Sequence, residues 1–180
     1  MHRILILGNP GSGKSTLARL LGERLGIEVI HLDRHFWTPG WVLVPFRDWS
    51  GIVEELVKGD SWIIDGNYTR TLDIRLDRAD GIIWLDFPRV ICLYRCLLRI
   101  AKGYGKTRPD IAPGCPEKFD WEFIRFVWTF RTHHRPNIEM GLTLNGGKVP
   151  ILHLKGPREV NIEKILEFIR HGHDEQVESQ

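Results

Sequence analysis

The sequence predicts an α/β fold in which a parallel β-sheet is covered by helices on both faces. Three observations predict it. Apolar runs of strand length alternate with helix-length amphipathic segments along the 180 residues. The runs are apolar almost continuously rather than at alternate positions, as strands buried on both faces are. The first run leads straight into a glycine-rich turn and a helix, the opening of a strand–crossover unit.

The strand candidates are residues 3–7, 28–32, 61–65, 81–86 and 149–154, all rich in Ile, Val, Leu or Trp. The helix candidates are residues 14–25, 47–58, 71–78, 88–102, 121–134 and 159–170. Pro88 suits the first turn of its helix, where a missing N–H costs nothing. Two stretches break the alternation. Residues 34–45 are rich in aromatics and turn formers, and residues 103–119 contain Gly103, Gly105, Pro109, Pro113, Gly114 and Pro116. Loops of that length in a small domain are commonly lids or binding segments. The expected organisation is one domain over 1–180, with an acceptor-binding insertion at 34–60 and a lid region at 103–135. The polar tail 171–180 is expected to fray.

Composition narrows the function classes. A formal net charge of +2 does not by itself imply nucleic-acid binding. No run reaches membrane-spanning length, and residue 1 leads directly into a strand without the layout of a signal peptide. Cys92, Cys96 and Cys115 are odd in number and lack a second pair to complete a metal site. Reduced thiols in a cytoplasmic protein are the expectation, as monomer or homodimer.

Residues 8–15, Gly8-Asn9-Pro10-Gly11-Ser12-Gly13-Lys14-Ser15, spell G-x-x-x-x-G-K-[ST] between a strand and a helix. Glycines let successive N–H groups turn toward phosphate oxygens, and the helix N-terminus adds partial positive charge. Lys14 can reach the β- and γ-phosphates and the Ser15 hydroxyl can ligate Mg²⁺, with Thr16 completing the cradle. ATP and Mg²⁺ are the expected cofactors.

Asp65 ends a strand, at the edge where open parallel sheets bind ligands. It is a candidate Mg²⁺ carboxylate, against the alternative of an Asx turn with Gly66. Asp33 closes the second strand and could accept a proton from an attacking hydroxyl or orient an acceptor; a cap is the competing role. His31 is expected to be a packed strand residue. Arg95, Arg99 and Lys102 share one helix face, and Arg131 and Arg135 lie one turn apart on the far side of the 103–119 insertion. Such cations usually form a solvated face, but here they flank a lid and can neutralise a transferring phosphoryl group. Trp37 and Trp41 could stack on a ring or form a small core of their own. Trp49 is expected to be structural.

With these residues the chain resembles the P-loop kinases of the adenylate kinase and shikimate kinase group, and within it the bacterial DNA topology modulation proteins. The resemblance spans nearly the whole chain. It rests on 8–16, on His31-Leu32-Asp33 with Trp37 and Trp41, and on Trp62-Ile63-Ile64-Asp65-Gly66-Asn67-Tyr68. It also rests on Ile82-Ile83-Trp84-Leu85-Asp86-Phe87-Pro88-Arg89 and on Cys115-Pro116-Glu117-Lys118-Phe119. It implies a three-layer P-loop NTPase fold with a five-stranded parallel sheet. Asp65 matches the aspartate of the kinases' D-G-F-P-R segment, and Arg70 is a displaced counterpart of its arginine. The resemblance further implies Arg95 near adenine, Arg99 near phosphate, Arg131 and Arg135 as lid arginines, and Lys155-Gly156 where backbone meets adenine. The acceptor region matches neither the threonine-glycine-aspartate start of adenylate kinases nor the aspartate–arginine pair that holds shikimate.

The expected function is therefore an ATP-dependent kinase-like phosphotransferase acting on a nucleotide or other small molecule. Lys14, Asp33, Arg95, Arg99, Arg131 and Arg135 would be catalytic. Asp33, Trp37 and Arg70 would meet the acceptor, and Ser15 with Asp65 would hold the metal. The rival is an ATP-bound regulator of DNA topology that binds nucleic acid, drawn from nine Lys/Arg against four Asp/Glu between residues 95 and 135. A motor driven by ATP hydrolysis would need further domains.

Overall fold

The structure, a computed structural model, describes residues 1–144 and 147–171; most of the tail expected to fray lies outside them. Five strands form one parallel sheet: β1 (Arg3–Gly8), β2 (Val29–His31), β5 (Trp62–Asp65), β6 (Gly81–Leu85) and β7 (Ile151–Leu154). Their spatial order is β2-β5-β1-β6-β7. The short strands β3 (Trp37–Thr38) and β4 (Val42–Leu43) form a separate antiparallel hairpin.

Alternation along β1 builds two cores. Leu5 and Leu7 face a layer with Trp49 and Val53 of α3 (Phe46–Leu56), Leu72 and Leu76 of α4 (Leu72–Leu76), and Ile138 and Leu142 of α7 (Arg135–Leu144). Ile4 and Ile6 face the other layer. There stand Leu17 and Leu21 of α1 (Lys14–Leu25), Cys92 and Cys96 of α5 (Arg89–Gly103), and Ile165 and Ile169 of α8 (Ile162–His171). The result is helices, sheet, helices, which is why the strands read as unbroken apolar runs. Helix α6 (Trp121–His133) contributes to both layers, Phe130 to the first and Val127 to the second.

Several boundaries differ from the sequence expectation. Strand β2 stops at His31, and Leu32 opens the short α2 (Leu32–Phe36). The helix expected over 71–78 is a 3₁₀ turn at Thr69–Thr71 followed by α4. The helix expected from 159 follows a 3₁₀ turn at Pro157–Glu159, and Asn161 Oδ1 accepts from Lys164 N at 3.2 Å before α8 proceeds. The helix expected over 121–134 breaks at His134, and α7 follows. Pro136 has no N–H for the carbonyl one turn back, so the α6 ladder cannot run through it. Arg131 and Arg135 are therefore on two helices, not one turn apart on one.

The two irregular stretches of the sequence pack on each other. Ile111, Ala112 and Cys115 form a small core with Trp37 and Trp41. Gly40 N donates to Gly114 O at 2.9 Å, Trp41 Nε1 to Pro116 O at 3.1 Å, and Cys115 Sγ lies 3.2 Å from Thr38 O. Helix α3, by contrast, belongs to the main body through fully buried Trp49 and Val53.

Candidate phosphate-loop site

The loop between β1 and α1 is shaped for an anion. Gly8, Gly11 and Gly13 have φ of 143°, 82° and 104°, values that residues with a Cβ rarely adopt. A Cβ on Gly11 would stand 2.8 Å from Cys96 Sγ, so α5 carries a small residue beneath the loop. Lys14 Nζ donates to Gly8 O at 2.9 Å and Asn9 O at 3.2 Å, bending the lysine over the loop. Burial lowers the Lys14 pKa, with Asp65 and Asp33 opposing it. Among the described residues Asn9 Oδ1 and Ser12 Oγ are buried without a hydrogen-bond partner, while Asn9 Nδ2 donates to Val127 O at 3.2 Å. Orphaned polar atoms, glycine-only backbone and a lysine over the hollow fit a polyphosphate.

The sheet register brings the carboxylates to this loop. Ile6 pairs with Asp65, and Asp65 pairs with His31. Ser15 Oγ donates to Asp65 Oδ2 at 2.5 Å, so the two proposed metal donors already touch. His31 Nδ1 lies 2.6 Å from Asp65 Oδ1. His31 is the packed strand residue expected, buried at the end of β2, and its ring also meets the carboxylate of Asp65. A hydroxyl and a carboxylate beside a phosphate loop are the oxygen donors Mg²⁺ prefers.

Beyond Asp65 the chain turns through Gly66, with φ 131°, and Tyr68, with φ 31°. Asn67 brackets the first loop glycine: Gly8 N donates to Asn67 Oδ1 at 3.0 Å and Asn67 Nδ2 donates to Gly8 O at 2.9 Å. Tyr68 OH donates to Asp33 Oδ1 at 2.5 Å. Burial raises the Asp33 carboxyl above its ordinary value; the Tyr68 hydrogen bond, Lys14 and Arg108 pull the other way. Burial and neighbouring Asp33 raise the Tyr68 phenol. Tyr68, Phe36 and Trp49 pack ring on ring at 4.5–5.1 Å, and Trp37 meets Phe36 and Trp41 edge-on.

The arginines divide. Arg95 Nη1 donates to Ser12 O at 3.1 Å, against the phosphate loop itself. Arg99 and Arg108 both reach the buried Glu117, at 3.0 and 2.5 Å, and Arg108 also pairs with Asp110 at 2.5 Å. Arg135 pairs with Asp86 at 3.0 Å and Glu139 at 2.8 Å, over the Trp84 ring. Arg131 is exposed on α6. Arg70 is exposed and stacks on Phe46 at 4.8 Å. Lys155 and Gly156 follow β7 in a turn where Lys155 N donates to Glu159 Oε2 at 2.9 Å. A separate hollow of about 550 Å³ runs along the open edge of β2, between Glu28, Arg34, His35 and Pro113, with no residue of the phosphate loop in its wall.

His31, Asn67, Tyr68, Arg75, Arg108 and Glu117 are the neighbours that sequence reasoning did not assign to the site. Asn67 and Tyr68 directly follow Asp65, which was a signal. Arg108 and Glu117 sit in an irregular insertion whose path no periodicity reveals.

No family model matches the chain. A "Putative adenylate kinase" of Thermococcus kodakarensis is 27% identical over 177 residues, 94% of this chain and 86% of that protein. A protein of the same description from Pyrococcus abyssi is 31% identical over 96 residues, 49% of this chain and 51% of its own length. Shikimate kinase from Acinetobacter baumannii in complex with shikimate matches with a TM-score of 0.58 at 19% identity, over 97% of this chain and 96% of that one. Shikimate kinase from Aquifex aeolicus vf5 matches with a TM-score of 0.54 at 18% identity, over 94% and 97%. The chain has the three-layer P-loop NTPase fold with a five-stranded parallel sheet found in these kinases.

Proposed function

We propose that the chain is an ATP-binding, Mg²⁺-dependent phosphotransferase whose acceptor is a nucleotide or another small molecule. One observation carries this reading. Asp33, held by Tyr68, follows β2, while Asp65 at the end of β5 accepts from Ser15 at the start of α1. A donor cradle after β1 and a second carboxylate just beyond β2, with Asp65 of β5 between them, suit transfer between two bound substrates.

In this reading the loop amides of 8–16 and Lys14 hold the β- and γ-phosphates. Ser15 and Asp65 would hold Mg²⁺, which when bound neutralises developing charge on the phosphoryl oxygens. Asp33 accepts the proton of the acceptor hydroxyl, and its raised pKa suits a base that must take one. Arg95 stands against the loop, and Arg99 and Arg108 are the cations whose release from Glu117 would let them face phosphate. Arg131 and Arg135 are retained as lid candidates and Lys155-Gly156 as the adenine-side turn. Within the kinase-like group we place the chain nearest the topology modulation proteins on the Trp62–Tyr68 and Cys115–Phe119 motifs. No helix among the described residues is long and apolar enough to cross a membrane. We take the protein to act in the cytoplasm, as monomer or homodimer.

The nucleic-acid reading has less to stand on. Arg95, Arg99, Arg108 and Arg135 of the basic 95–135 stretch are engaged inside the protein.

The test is ADP formation from ATP and Mg²⁺ with a panel of nucleoside monophosphates, nucleosides, sugars and shikimate, beside Lys14→Ala. One acceptor should raise ADP release well above the variant. If none does, the phosphotransferase reading is wrong.

A further inference from the structure

Arg75, in α4, is fully buried, and each of the four hydrogen bonds it makes among the described residues ends on a backbone carbonyl. Nε donates to Thr71 O at 3.2 Å and Nη1 to Gly66 O at 2.9 Å. Nη2 donates to Asn67 O at 2.5 Å and to Tyr68 O at 2.9 Å. Three consecutive carbonyls, 66, 67 and 68, thus converge on one cation. Its nearest acidic residue in electrostatic terms, Asp73, is an exposed neighbour on the same short helix. Burial lowers the Arg75 pKa to about 9, so it still carries its charge at neutral pH.

A buried guanidinium without a carboxylate partner is costly, and a hole in an α/β core is filled more stably by an apolar side chain. Arg75 must therefore be placed for what it holds. The held segment is strained, with Gly66 and Tyr68 both at positive φ, and Tyr68 has a Cβ to accommodate there. Its two side chains face the two halves of the site. Asn67 makes both of its hydrogen bonds to Gly8 of the phosphate loop, and Tyr68 donates to Asp33. One cation fixes the carbonyls, and the adjacent side chains then fix the donor loop and the acceptor-side carboxylate in register.

We propose that Arg75 is a positioning residue for nucleotide binding, which acts through the 65–68 turn to set Asn67 against Gly8 and Tyr68 against Asp33. This role rests on nucleotide binding by the phosphate loop and not on transfer to any acceptor. A purely structural Arg75 would lower stability without a specific link to Asn67. A positioning Arg75 makes the two residues act as one unit.

The test is a double-mutant cycle in ATP affinity, read by titration of Mg²⁺-ATP onto the whole protein, with melting temperatures measured alongside. Asn67→Ala should weaken ATP binding about tenfold, the size of one to two net hydrogen bonds. Arg75→Met, which keeps the volume and removes the donors, should weaken it by a similar factor. The double variant should be no weaker than the worse single variant. Arg75→Lys keeps a charge and three donors, and should recover part of the affinity. Penalties that multiply in the double variant would overturn the proposal, as would wild-type affinity in folded Arg75→Met. If Arg75→Met does not fold, the cycle is run with Arg75→Lys; if neither folds, Arg75 is a fold determinant and the proposal fails. A protein that binds ATP but phosphorylates nothing would sink the phosphotransferase reading and leave this cycle to be decided on its own.

Discussion

Gly8→Ala and Gly13→Ala separate two tasks of the glycine-rich loop, holding the fold together and the proposed one of receiving a nucleotide. A methyl group on Gly8 would stand 3.0 Å from the Leu85 carbonyl carbon and closer still to its oxygen. Gly8 pairs with Leu85 at the carboxyl ends of the adjacent inner strands β1 and β6, so neither backbone can retreat without disturbing the last pair of that ladder. The φ of 143° adds strain of its own. Overpacking costs about 1–3 kcal/mol and a non-glycine residue in that region about 1–3 more, giving roughly 4 kcal/mol as a central value. In a domain of this size each kcal/mol moves Tm by about 2–4 °C, so Gly8→Ala should melt about 12 °C lower. Gly13 differs. Its added methyl would meet only Arg95 Nη1, at 3.8 Å, and otherwise open space where the loop would receive phosphate. Strain of about 1–2 kcal/mol should lower Tm by only about 4 °C. Blocking the cradle should weaken Mg²⁺-ATP binding about 100-fold or more, equivalent to about 2.7 kcal/mol. Thermal unfolding by circular dichroism and calorimetric titration of ATP measure both effects. The reasoning is refuted if Gly8→Ala melts within about 2 °C of wild type, or if Gly13→Ala binds ATP within about threefold of it.

Two further outcomes follow from the site. Burial raises the Asp33 carboxyl, so the unfolded chain releases that proton first and the ionised group costs folded-state stability as pH rises from the ordinary value of about 3.9 through the raised one. Asp33→Asn should therefore melt higher than wild type at neutral pH, with the difference closing toward pH 4, while ADP formation is lost; a pH-independent difference would contradict this. Trp41→Ala should release the 104–120 segment, because it removes the Pro116 hydrogen bond and one wall of the Trp37–Ile111–Cys115 core. Trypsin should then cut at Lys106 or Lys118 about tenfold faster, with Tm changed by less than about 3 °C. Unchanged protection would mean that the hairpin does not hold the segment down.

The parts of the site legible in the sequence were those written in consecutive residues. The 8–15 loop and the strand-end carboxylate Asp65 could be placed before any coordinates, because parallel strands of this kind put their carboxyl ends at one edge; Asp33, expected to close the second strand, lies instead in the first turn of α2, just beyond it. His31 is packed in its strand as expected, but an apolar strand pattern gives no sign that its ring meets Asp65. Arg70 was named as the displaced counterpart of the kinases' D-G-F-P-R arginine, and nothing in the sequence drew attention to Arg75. Only the 3₁₀ turn before α4 shows that Arg70 points to Phe46 while Arg75 lies beneath the turn. Arg131 and Arg135 looked like a pair until Pro136 ended the α6 hydrogen-bond ladder.

What the sequence determined by itself is the layering and the glycine-rich loop between β1 and α1. Apolar runs buried on both faces permit little else than a covered parallel sheet, and glycines at positive φ followed by Lys14 and Ser15 bring their own backbone geometry. What only the tertiary structure decided is how the long insertions and the buried cations are used. The docking of 103–119 on the β3–β4 hairpin, the grip of Glu117 on Arg99 and Arg108, and the seat of Arg75 under the 65–68 turn all join residues distant in sequence or hidden in irregular backbone. Such contacts are set by shape and by the need to satisfy buried charge, and neither leaves a period in the chain.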